Sequence, residues 1–218
     1  MALHNQSVDE NEVKRFVRYG KHLRQLLLPV FEDLQFRVAF RLLPVRSRFF
    51  FLRDIDPRIT YCIQDGCNDV ETEQHLFFEC TLASRVWEHL LLLMRPLFRN
   101  QPTWTVITLA RKPSIHGDWK ECKDIVCDVW HMLRAVALHF IWSDRNRCLF
   151  DGRQPTPATP ALSIIFATVS AHIRHYIRRK YESTDVSRLQ KVIRTMKLYQ
   201  PFEDFATAHP SMLELRQR

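Results

Sequence analysis

Four residues with soft or borderline donor atoms fall inside nineteen positions: Cys62, Cys67, His75 and Cys80. Their spacing is Cys-x4-Cys-x7-His-x4-Cys. Zinc takes four such ligands at tetrahedral corners. Two cysteines four residues apart can wrap one side of the ion, and Gly66 between them can adopt the positive φ that a tight knuckle often needs. His75 and Cys80 then come from the start of the following helix. Four protein ligands leave no position for water, so the expected site is structural, with one Zn2+, and not catalytic. Three thiolates around Zn2+ leave about one negative charge, which nearby donors should balance; Arg58 and Arg85 are close in sequence. The competing reading is four uncoordinated residues, because cysteine often packs as a small apolar side chain and a lone histidine needs no metal. Their clustering in a polar stretch between helices favours zinc.

Other residues invite weaker readings. Cys122, Cys127 and His131 share a helical face, yet they lie in an apolar stripe, where core packing is the better expectation. Residues 170–197 hold Arg174, Arg178, Arg179, Lys180, Arg188, Lys191, Arg194 and Lys197 against Glu182 and Asp185, a net +6. Such a concentration can neutralise phosphates. The interleaved His172, His175, Tyr176 and Tyr181 could stack on unpaired bases. A solvated helix face with core aromatics explains the same residues. Arg37, Arg41, Arg46, Arg48 and Arg53 form a second basic group before the cysteines, suited to phosphates or to carboxylates such as Glu32, Asp33 and Asp54. Of catalytic patterns there is no sign: no Tyr-x-Asp-Asp pair and no Gly-x-Ser-x-Gly elbow occurs, and four scattered glycines cannot build a phosphate-cradling loop.

The elements that must position these residues are mostly helical. Apolar spacing predicts helices from Val13 to Leu27, from Phe31 to Leu42, and an Arg-rich one from Pro44 to Arg53, closed by Asp56-Pro57. A helix from Thr81 to Met94 carries Leu82, Val86, Trp87 and Leu90. A long amphipathic one runs from about Trp119 to Asp151-Gly152. Two more span about Ala161–Tyr181 and Asp185–Leu198, the latter capped by Asp185. The tail after Pro201 is weakly patterned and expected to fray. The fold class expected is mostly α: a helical bundle-like array with a small Cys-Cys-His-Cys zinc knuckle between helices. Proline-rich connections divide it into residues 1–100, with the N-terminal helices and the knuckle; 101–153, with the long amphipathic helix; and 154–218, with basic helices and tail. The 218 residues are 46% hydrophobic with formal charge +8, which favours anionic partners. No secretory h-region and no run of 18 apolar residues is present, so an intracellular location, nucleus or cytoplasm, with free thiols and no membrane is expected.

A family resemblance rests on several stretches. They are Phe40-Arg-Leu-Leu-Pro44-Val-Arg46-Ser-Arg48; Cys62 to Cys80 with Glu73-Gln-His75-Leu-Phe-Phe-Glu-Cys80; Ala83-Ser-Arg-Val-Trp87; and Phe140-Ile-Trp142-Ser-Asp-Arg145-Asn146-Arg147-Cys-Leu-Phe150. Together they resemble the zinc-binding domain that follows the reverse transcriptase in non-LTR retrotransposons, over about Phe36 to Phe150. The chain departs from that pattern in having four residues, not two, between its first two cysteines. The resemblance implies an accessory module without its own catalytic site or small-molecule substrate, handling RNA or DNA beside a polymerase. Another class stays open: a zinc-stapled module for a protein partner or self-association, or an inactive retroelement-derived fragment.

Overall fold

Proline and glycine punctuate helices whose apolar residues recur every three or four positions. The first helix, α1 (Glu10–Leu26), turns Phe16, Leu23 and Leu26 inward, and Pro29 opens the second, α2 (Pro29–Ala39). The computed structural model describes residues 10–64, 66–179 and 183–214. In it the Arg-rich segment after Pro44 is not an α-helix but a 3-10 turn, Arg46–Leu52, kinked at Phe49. The reason is tertiary. Arg46 and Ser47 donate their backbone N–H groups to Glu71, at 2.9 and 3.1 Å, and no residue of the turn is buried. Without a buried stripe, nothing rewards a longer helix.

Beyond the cysteine-bearing stretch come α3 (Thr81–Met94) and a short α4 (Trp104–Thr108). After a 3-10 turn at Gly117–Cys122 follow α5 (Lys123–Asp151), α6 (Ala158–Arg179), α7 (Ser183–Met196) and α8 (Gln200–Ala208). Gly152 ends α5 in the left-handed conformation, φ 63°, a conformation glycine adopts without a Cβ penalty. Helix α7 begins at Ser183, so Asp185 lies in its first turn and pairs with Arg188 at 3.0 Å instead of capping. Through the described residues, which end at 214, the tail is packed and not frayed: α8 buries Phe202 and Phe205, whose rings meet Phe166 at 5.1 and 5.7 Å.

Helix α5 is central. Its expected amphipathic pattern implied one wet face, yet every residue from 125 to 138 is buried. Helices α2, α3, α6 and α7 pack around it, and one core cluster draws on residues from 1–100, 101–153 and 154–218 alike. The segment Gly117–Asp151 is long and apolar enough to cross a membrane, but 89% of its most apolar window is buried in the fold. His131 is packed in the core, as its place in the apolar stripe led one to expect, and the charged Asp128 and Arg134 are covered with it. Asp128 bonds His22 Nε2 at 2.7 Å and accepts from Tyr176 Oη at 2.9 Å. Arg134 donates to the Ile107 carbonyl at 2.5 Å and to Gln35. Burial pushes the Arg134 guanidinium down to about 9.

His131 is fully buried, and among the described residues neither ring nitrogen has a hydrogen-bond partner. Burial, then the positive charge of Arg134, holds its pKa well below the ordinary value. Burial also lowers His139 and His172. The unfolded chain therefore takes up protons that the fold refuses, and stability is lost as pH falls below about 6.5. His131→Leu removes one such site. Urea unfolding between pH 7 and 5 should show a flatter stability curve for the variant; parallel curves would contradict this account.

Candidate metal centre

The stretch carrying the four donors folds as a hairpin and a turn. Tyr61 and Val70 form an isolated antiparallel bridge, and Cys62 N–H donates to the Asp69 carbonyl at 2.9 Å. Gly66 has φ 76°, the conformation the spacing called for, and Cys67 N–H closes on the Gln64 carbonyl at 3.0 Å. Thr72 Oγ1 then accepts the His75 N–H at 3.1 Å and starts the next helical segment. Residues His75–Glu79 widen into a π turn, in which Cys80 N–H reaches the His75 carbonyl at 2.7 Å. Such turns are rare and cluster at functional sites. Here the π turn carries His75 and Cys80, five residues apart, to the same centre.

All four donor atoms lie within 4.8 Å of one another. Cys62 Sγ and Cys80 Sγ are 3.7 Å apart, and Cys67 Sγ is 3.3 Å from His75 Nε2. Sulfurs held at a tetrahedral ion, about 2.3 Å from it, sit about 3.8 Å from each other. The four side chains are therefore close enough to hold one metal ion. Nδ1 of His75 faces the exposed Asp69 carboxylate at 3.9 Å, on the ring edge where a carboxylate orients a ligating imidazole. Neither Arg58 nor Arg85, the cations nearest in sequence, bonds any of the four donors.

Crowding shows in the acidity of these groups. The bond to Cys80 and then burial raise Cys62, whereas Cys80 is lowered by that same bond. Burial raises Cys67. Close packing of the thiols thus opposes their ionisation together, and a bound divalent cation would favour the thiolate forms, with release of the protons they carry. The hairpin has little else to hold it, since Cys62 is the only buried residue among the described positions from 61 to 70.

What holds this unit against the core is Glu71, a residue the sequence reading passed over. Its carboxylate is fully buried and bidentate to Arg145 of α5, at 2.5 and 3.2 Å, while it also accepts the Arg46 N–H. No local signal marks it, because its partner is 74 residues away. Around this pair, Phe77 stacks on Trp142 with centroids 6.2 Å apart, Trp87 Nε1 donates to the Phe77 carbonyl at 2.6 Å, and Arg145 lies 5.3 Å from the Trp142 ring. Asp144 accepts from Thr156 Oγ1 at 2.5 Å and so anchors the proline-rich link into α6.

The basic positions are dispersed in their roles. Arg188 pairs with Asp185 and Asp124, Lys191 sits 4.9 Å over the Trp119 ring, and Lys197 meets Glu203 at 3.6 Å. Arg178 and Arg194 are exposed and Arg174 is half-buried. Lys180 and Tyr181 lie outside the described residues, as does the side chain of Arg179. His172 and Tyr176 are buried in the core, and only His175 of the described aromatic set is exposed. Arg37 pairs with Asp33 at 2.8 Å and Arg48 with Glu73 at 2.7 Å. Cys122, Cys127 and His131 are buried, and among the described residues the only donor group of metal-binding geometry is the one at Cys62. No protein-family model, curated protein or solved structure matches the chain.

Proposed function

We propose that the chain is a zinc-stapled helical accessory module, of the kind that follows the reverse transcriptase in non-LTR retrotransposons, and that it binds RNA or DNA without a catalytic centre of its own. A donor set of three thiolates and one imidazole, tetrahedral in spacing, suits zinc above harder cations. The reading is carried by one observation: the separate stretches that bear the family resemblance meet at a single hub. The knuckle donors, Trp87 against Phe77, Trp142 on Phe77 and Arg145 on Glu71 form one continuous contact set. A zinc ion there would clamp the hairpin, and the hub would transmit that rigidity to α5.

Nucleic-acid binding then draws on the net charge of +8 and on exposed cations such as Arg178 and Arg194. Fluorescence anisotropy with labelled single strands and structured RNA should show affinity falling steeply with salt. Arg178→Ala and Arg194→Ala should each shallow the logarithmic slope by about one. Binding that ignores salt, or no binding to any of these probes, would overturn the proposal.

A further inference from the structure

Phe49, Phe50 and Phe51 are consecutive in the turn Arg46–Leu52, and the rings keep together at the surface. Centroids of Phe49 and Phe51 are 6.4 Å apart, and those of Phe50 and Phe51 are 6.1 Å apart. Phe50 is 59% exposed and Phe51 65%, with Ile55 just beyond at 82%. Clustered apolar side chains so far out of the core mark an interaction site.

Their surroundings say what kind. Residues 41–58 contain Arg41, Arg46, Arg48, Arg53 and Arg58 against Asp54 and Asp56, a net +3. Several of these arginines brace the turn. Arg46 Nη2 donates to the Arg58 carbonyl at 3.0 Å, Arg48 pairs with Glu73, and Arg53 Nη2 donates to Thr60 Oγ1 at 3.3 Å. Arg41 and Arg58 are exposed, and among the described residues neither guanidinium enters an ion pair. The turn is also bolted to the metal-bearing hairpin, through the Arg46 and Ser47 N–H groups on Glu71.

We propose that this face is a stacking platform for single-stranded nucleic acid, with bases on the rings of Phe50 and Phe51 and phosphates on Arg41 and Arg58. The proposal rests on the nucleic-acid reading above and adds the place of contact and the strandedness. Protruding rings beside free cations fit an unstacked base and its phosphate, because every base offers a π face and the contact needs no particular sequence. An apolar partner helix wants a groove instead. A duplex keeps its bases stacked on each other and out of reach. The hairpin's role follows: it holds the rings outward on a turn that has no buried residue of its own.

The test uses the full zinc-loaded chain, with a fluorescein-labelled 20-nucleotide single strand, as RNA and as DNA, and the same sequence as a duplex. Phe50→Ala and Phe51→Ala should each weaken single-strand binding by on the order of tenfold and leave the duplex and the salt slope nearly unchanged. Both side chains are exposed, so the melting temperature should hold. Phe50→Trp should keep affinity, and its indole emission should be quenched on addition of the unlabelled strand. If the parent binds single strands and both alanine variants bind them equally well, this platform is wrong while the nucleic-acid function stands. If the parent binds no nucleic acid, both fall. If the alanine variants only dissolve a self-associated form in sedimentation, leaving oligonucleotide affinity unchanged, the face is an interface between copies and the proposal fails.

Discussion

Cys80→Ser is expected to abolish stoichiometric zinc and to lower the melting temperature by on the order of 10 °C. The physical reason is the poverty of the hairpin. Residues 61–70 contribute a single buried side chain among those described, Cys62 itself. Hydrophobic burial cannot hold such a segment, and conformational entropy of about 1–2 kcal/mol per residue opposes it. Structural zinc contributes on the order of 10 kcal/mol in small modules. Most of the helical core lies outside the four donors, so the visible cost should be smaller, roughly 4 kcal/mol, and fall on the knuckle and what it anchors. Elemental analysis of the purified parent should find one zinc per chain. A chelator should reproduce the variant's melt, and zinc should restore the parent's. Cys148→Ser, a non-ligand control, should retain both metal and melting temperature. A Cys80→Ser protein that keeps one zinc and melts like the parent would remove the metal centre from this account.

Breaking the Glu71–Arg145 pair should rival that effect. Both side chains are almost wholly shielded, at 0% and 3% exposure, and the contact is bidentate. Removing one member of such a pair strands the other's charge away from water, which costs about 3–5 kcal/mol. Glu71→Ala also orphans the Arg46 N–H and loosens the turn that carries the exposed phenylalanines. Arg145→Lys should not rescue, because an ammonium cannot reproduce the two-pronged contact. The double variant Glu71→Ala/Arg145→Ala should be more stable than the sum of the single losses predicts, since it strands no charge. Urea unfolding of the four proteins measures that coupling. Single variants that each cost less than about 1 kcal/mol would show that the pair does not join the hairpin to α5 in the way described.

Some features of the chain are decided within a few residues. The four donors, the left-handed turn at Gly66, the helix opening at Pro29 and the stop at Gly152 depend on side-chain type and local backbone freedom. Helix α3, with Val86, Trp87 and Leu90 buried, follows from a repeat that any partner surface would satisfy. Residue spacing therefore carried the mostly α fold and the knuckle.

Other features depend on groups far apart in the chain. The Arg-rich segment stays a kinked 3-10 turn because none of its residues is buried, while Glu71, far along the chain, caps its first two backbone donors. The polar stripe of α5 looks wet in sequence, but His22, Tyr176, Gln35 and the Ile107 carbonyl supply its hydrogen bonds from other elements. The weakly patterned tail folds because Phe166 offers Phe202 and Phe205 a surface. His172 and Tyr176, plausible stacking residues by type, are taken into the core. A periodic pattern tells which residues are apolar, but a buried charge such as Asp128 or Arg134 needs a partner that reaches it, and only the assembled helices decide where that happens.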